Sequence, residues 1–228
     1  MSEAYTIYLV NQSKSTQNFW CFLAGPDDPT AYANSTASIA VRSNDPEFNS
    51  LTIQAQYIVG AGASNHAVER GARIVVSAPM AAAASSVAHD AALGDMWDAN
   101  YATWPPNLGP LLKLSETKSP PAAIAIRSNA FNKVVNEDNS WFSNQSFGVV
   151  SESGFIGVTW SPNPETTITI NARLKFYVVS GNYESNVLAR IDGNNAATIA
   201  VPDNFKFNKS TVTYTASGTW IVTPGEPA

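Results

Sequence analysis

Thr166-Thr-Ile-Thr-Ile-Asn-Ala-Arg-Leu-Lys-Phe-Tyr-Val-Val179 is the stretch that decides the fold class of this chain. Successive side chains of an extended strand point to opposite faces. On that rule Thr167, Thr169, Asn171, Arg173 and Lys175 form a polar face. Ile168, Ile170, Ala172, Leu174 and Phe176 form an apolar one. The alternation then gives way to Tyr177-Val-Val179, apolar on both faces. A helix would need apolar residues spaced three and four apart, and this run spaces them by two. The reading is one long strand, half exposed to water and half covered. What covers it, the segment around 80–107 or a partner subunit, is the place to look for function.

The rest of the chain continues the style. Leu51-Thr-Ile-Gln-Ala-Gln-Tyr-Ile-Val59 puts Leu51, Ile53, Ala55, Tyr57 and Val59 on one face and Thr52, Gln54 and Gln56 on the other. Residues 18–23 form a continuous apolar run that stops at Gly25-Pro-Asp-Asp-Pro29. Residues 5–10, 72–77, 122–127, 147–150, 155–160, 187–191, 197–201, 211–216 and 219–223 also read as strands. Ser151-Glu-Ser-Gly154, Asp192-Gly-Asn-Asn195 and Ser217-Gly218 supply hairpin turns between them. Many short strands at this spacing predict an all-β, antiparallel β-sandwich in a single domain over residues 1–228.

One segment departs from the pattern. Residues 79–93 are alanine-rich, with Pro79 at the start and Gly94 beyond the end, which are helix start and stop positions. A helix is expected there, inside a helical or irregular insertion around 80–107. Ile39-Ala-Val-Arg-Ser-Asn44 nearly repeats as Ile124-Ala-Ile-Arg-Ser-Asn129. An internal pseudo-repeat over 36–66 and 121–187 is one reading. Chance similarity in a chain biased toward Ala, Ile, Ser and Asn is the other.

Composition limits the function classes. The 228 residues suffice to bury a sizeable core without disulfides or metals. Charged residues make up 14%, against the usual quarter, and Asn, Ser and Thr take their place. Such a surface suits β-turns, and it also suits recognition of neutral polar ligands by hydrogen bonds. The net charge is −5 and the 13 Lys and Arg are scattered. Both facts argue against phosphate-driven nucleic-acid binding and against attraction to anionic membranes. No stretch reaches the ~18 apolar residues of a membrane span. The N-terminal Met1-Ser-Glu-Ala lacks the basic and apolar regions of a signal peptide, so a cytoplasmic protein is expected. Cys21, the one cysteine, has no His, Lys or Arg within five residues, and reads as a small buried hydrophobe.

Motifs for chemistry are sparse, and no cofactor or metal is expected. Gly60-Ala-Gly-Ala-Ser-Asn65 lacks the third glycine and the lysine of phosphate loops and reads as a hairpin end. No G-x-S-x-G elbow occurs. Asp27-Asp28 and Glu137-Asp138 lack calcium-loop spacing and read as turn residues. The richest stretch is Gly94-Asp-Met-Trp-Asp-Ala-Asn-Tyr-Ala-Thr-Trp-Pro-Pro-Asn107. Trp97, Asp98, Asn100, Tyr101 and Trp104 combine flat apolar faces with hydrogen-bonding groups, the ingredients of a sugar site. The competing reading packs Trp97, Tyr101 and Trp104, spaced four and three apart, against the sheet as one apolar face. The aromatic loop at 139–145 has the same two readings.

Three functions follow as expectations. The first is a non-catalytic, lectin-like binding protein for a neutral glycan or other polar ligand. The second is a self-assembling structural, toxin or defence β-protein, with homo-oligomers favoured by small residues and low charge. The third is a hydrolytic enzyme built on His89 with Asp90 or Asp95. The signal-less, Asn/Ser/Thr-rich, low-charge style is similar to that of many cytoplasmic lectins and defence proteins, with no shared motif behind it.

Overall fold

The computed structural model describes residues 3–25, 31–73, 85–103, 109–171 and 173–227. Strands are numbered in chain order. The largest sheet holds β1 (Ala4–Asn11), β3 (Tyr32–Ser35), β5 (Asn49–Ser64), β6 (Ser85–Ala91), β10 (Phe142–Ser151), β11 (Gly154–Trp160), β15 (Lys209–Tyr214) and β16 (Trp220–Pro224). Its order is β16-β15-β1-β5-β10-β11-β3, with β6 also paired to β5. A second sheet holds β2 (Gln17–Leu23), β4 (Ser38–Val41), β13 (Lys175–Ser180) and β14 (Ala197–Ala200), in the order β14-β13-β2-β4. A third holds β7 (Met96–Asn100), β8 (Leu111–Leu114), β9 (Ala123–Ser128) and β12 (Thr167–Asn171), in the order β12-β9-β7-β8. Pairing is antiparallel except for β1 with β15 and β7 with β9. The architecture is an all-β sandwich, as the alternating patterns predict.

The long strand β5 organises the large sheet. One edge pairs β1 through residues 49–54 and then β6 through residues 57–63. The other edge pairs β10 through residues 53–64, with a register shift between Val149 and Val150 that leaves Ala55 and Gln56 unpaired with β10. The two smaller sheets share one core with it. Ile7, Ile53 and Val212 of the large sheet, Phe19, Phe176 and Ile199 of the second, and Trp97, Ile126 and Ile170 of the third belong to a single buried cluster. Burying each such side chain contributes roughly 1.5–3 kcal/mol. The second sheet is covered on its other face too. There Trp20, Phe22 and Val179 pack with Tyr183 and Ala189, and Trp20 Nε1 donates to the Gly181 carbonyl at 3.0 Å. Two covered faces account for the unbroken apolar run at 19–23, which is buried throughout, while Asn18 before it is exposed.

The run at 166–179 is two strands rather than one. Its first half is β12, in the third sheet, and its second half is β13, in the second. The helix expected over 79–93 is also corrected. Residues 85–91 form β6, paired with the Gly- and Ala-rich half of β5, and residues 79–84 lie outside the described residues. Tertiary pairing has overridden alanine's intrinsic helix preference. The described α-helix is α1 (Lys133–Asp138), whose N-cap Asn132 accepts from Val135 N at 3.1 Å. Asp192-Gly-Asn-Asn195 is not a hairpin turn. Asp192 caps a 3-10 turn, accepting from Asn194 N, and β14 pairs with β13 instead. In the expected strand 72–77, Arg73 bridges Val187, while residues 74–77 lie outside the described residues. The two near-repeated hexapeptides fall on β4 and β9, in different sheets with different neighbours.

Candidate functional site

The structure distributes the expected sugar-binding residues over two faces. Residues 96–100 are a strand, so neighbours along it alternate in direction. Trp97 and Ala99 point inward with the adjoining Tyr101, while Asn100 is exposed. Trp97 is 7% exposed, and the His89 ring lies flat against it at 5.2 Å between centroids. Tyr101 is 4% exposed and packs on Phe131. Its hydroxyl donates to the Asn144 carbonyl at 2.7 Å, and burial pushes its pKa well above the usual tyrosine value. Neither ring offers an open face to a sugar. Asp98 lies across from Arg127 in the β7–β9 register and pairs with it at 2.8 Å. Trp104 and Asn107 lie outside the described residues.

The chain after β7 is held by asparagines. Asn129 accepts from Tyr101 N at 2.7 Å and donates to the Tyr101 carbonyl at 2.9 Å. Asn136 of α1 donates to the Ala102 carbonyl at 2.9 Å. These bonds fix residues 101 and 102 as structure. The stretch 139–145, expected as an aromatic loop, is similar in outcome, since residues 142–145 are the start of β10. Trp141 is buried, and Gln145 accepts from Trp160 Nε1 at 3.1 Å between the layers.

His89 and Asp90 are adjacent on β6 and therefore face opposite sides of the sheet, so they make no dyad. Asp95 accepts from Ala92 N at 2.9 Å and pairs with Lys118 at 3.2 Å. Asp27 and Asp28 lie outside the described residues, and Glu137 and Asp138 end α1. Cys21 is fully buried opposite Val178, and desolvation pushes its thiol up to about 12.

A cleft of about 520 Å³ opens where the two smaller sheets meet above the large one. One wall is β12, all five of whose residues line it. The opposite wall is residues 23–25, at the end of β2, and residues 173–175 lead from one wall into β13. Phe147 of β10 reaches it from the large sheet. The volume falls within the roughly 300–1,000 Å³ of ligand sites. Five consecutive strand residues lining one cleft is informative. A cleft over one face of a strand would touch alternate residues, so this one runs along the edge of β12.

That edge has no strand partner among the described residues, because β12 ends its sheet with β9 on its other side. The register identifies which backbone groups face the cleft. Ser128 N donates to the Thr166 carbonyl at 2.9 Å. Antiparallel pairs alternate between bonded and non-bonded, so Ile168 and Ile170 bond to β9. Thr167, Thr169 and Asn171 turn their N–H and C=O groups to the open edge. Arg173 and Lys175 are exposed and supply the only titratable side chains of the lining among the described residues. Neither makes an ion pair among the described residues, and Lys175 sits 5.6 Å above the Tyr177 ring. Sequence reasoning missed this site, although it had marked its polar residues as one face of a strand.

Family models, curated proteins and solved structures were all compared with the chain, and none matches.

Proposed function

We propose that this chain is a non-catalytic binding protein whose ligand seats in the cleft along β12. The ligand is polar and carries a carboxylate or comparable anion. One observation carries the reading: among the described residues, Arg173 and Lys175 are the only titratable groups lining a cleft of about 520 Å³, and both are cationic in a chain of net charge −5. The rest of the lining is Thr167, Thr169 and Asn171 beside apolar Leu23, Ile168 and Leu174. That is the usual make-up of a binding site, apolar walls with a few placed polar groups. Among the described residues the lining holds no carboxylate, imidazole or thiol to move a proton near neutral pH, which supports binding over hydrolysis.

This reading keeps the expectation of a non-catalytic binding protein and differs from the lectin-like one in place and charge, with residues 167–171 and 173–175 instead of 97–104 and an anionic instead of a neutral ligand. Amide NMR titration with glucuronate and with glucose tests it. Glucuronate at millimolar concentration is expected to shift amides within 167–175, glucose much less, and Arg173→Ala to abolish the difference. Shifts confined to residues 96–103, or equal responses to both sugars, would contradict the reading.

A further inference from the structure

We infer that the occupant of this cleft is an extended acidic peptide segment that adds to the open edge of β12 as a further strand. The inference rests on the cleft being a binding site and narrows what it takes. Three observations converge on a chain-shaped ligand. The cleft follows the strand edge through all five residues of β12 rather than sitting over one face. Alternate residues Thr167, Thr169 and Asn171 present main-chain donors and acceptors at the spacing a second strand needs. Residues 23–25 stand on the opposite side, giving the space two walls between which an extended segment can lie.

Charge selects the sequence. Arg173 and Lys175 stand just beyond the C-terminal end of β12 with no carboxylate paired to them among the described residues. An antiparallel peptide would bring its N-terminal side chains there, and acidic ones fit. The walls explain why so open an edge is tolerable. Exposed edges invite indiscriminate pairing. Here the edge is recessed and its outward side chains are Thr, Asn, Arg and Lys.

The test uses the full chain and acetyl-Glu-Glu-Val-Thr-Val-Thr-amide, followed by amide NMR and calorimetry. The peptide is expected to shift amides of residues 167–175. Two N-methylated versions separate strand addition from simple charge attraction. N-methylating the alternate residues whose N–H groups face β12 is expected to weaken binding about tenfold or more. Methylating the other alternate set should leave it within about twofold. In the protein, Thr169→Pro removes an N–H that faces the cleft rather than β9, a position where edge strands accept proline, and is expected to abolish binding. Should that variant fail to fold, Arg173→Glu supplies the parallel test, with a loss of about tenfold expected from charge reversal. Equal effects of both methylated peptides would overturn strand addition. So would glucuronate shifting residues 167–175 when the peptide does not, a result that leaves the proposed binding function standing. If neither probe moves those amides, both proposals fall.

Discussion

Strands β12 and β13 come from one alternating run of sequence and end in opposite circumstances. β13 lies inside its sheet, paired with β2 on one edge and β14 on the other. Its Phe176 and Val178 are fully buried in the common core, and Val179 packs on the outer aromatic cluster. β12 ends its sheet, with Ile170 buried, Ile168 half-buried and Thr167, Thr169 and Asn171 exposed. The same binary pattern thus makes a sealed strand and an open one. Neighbours decide the difference, and the candidate site lies where one becomes the other.

The contrast can be broken by measuring stability on each side of it. Phe176→Ala is expected to cost about 3–5 kcal/mol, the range for a fully buried aromatic. Ile168→Ala, half-exposed at the edge, should cost less than about 2 kcal/mol. Urea unfolding of both variants checks this, and equal losses would remove the distinction.

The sealed side also has a pH signature. Cys21 pairs with Val178, and burial raises its thiol to about 12, whereas an unfolded cysteine titrates near 8.5. The folded state therefore holds this proton more tightly. Its contribution is fully present below about pH 8.5 and is lost as pH rises toward 12, at ~1.4 kcal/mol per pH unit. Buried Tyr101, raised by the same cause, adds to the loss at still higher pH. Cys21→Ala should flatten the stability curve between pH 9 and 11, whatever it does to stability at pH 7. An unchanged slope would mean that the thiol is not sealed.

Smaller effects sharpen the comparison at the other candidate site. Tyr101→Phe removes the hydroxyl that donates to the Asn144 carbonyl and should cost ~1–2 kcal/mol in urea unfolding. It should leave ligand binding unchanged, since Tyr101 belongs to the interior. Arg173→Ala should do the reverse, staying within about 0.5 kcal/mol of wild type in stability while losing the anionic ligand.

Much of the fold was legible because alternation and turn residues mark strands directly. The break between β12 and β13 was hidden by parity. Ile170 and Leu174 are both buried and Asn171 and Arg173 both exposed, so the alternation passes through the joint undisturbed. The strand at 85–91 was hidden by alanine's helix preference, which pairing with residues 57–63 overrides. At residues 97–101 the cluster was visible but its geometry was not. Trp97 and Tyr101 share a face in a helix and in a strand alike, whereas a strand sends Asn100 to the opposite side. Asparagine richness also carried a second meaning. Asn11, Asn129 and Asn136 bond to main chain inside the protein, holding loops rather than facing a ligand. The cleft itself needs residues 23–25, Phe147, residues 167–171 and residues 173–175 to converge, and no local pattern encodes that meeting.

The open edge of β12 is the claim on which the rest depends, and amide hydrogen exchange of the full chain tests it most directly. In the free protein the amides of Ile168 and Ile170 should be protected by β9, while those of Thr167, Thr169 and Asn171 exchange fast, in strict alternation. Uniform protection of all five amides would mean that the edge is already paired, and the account would be wrong.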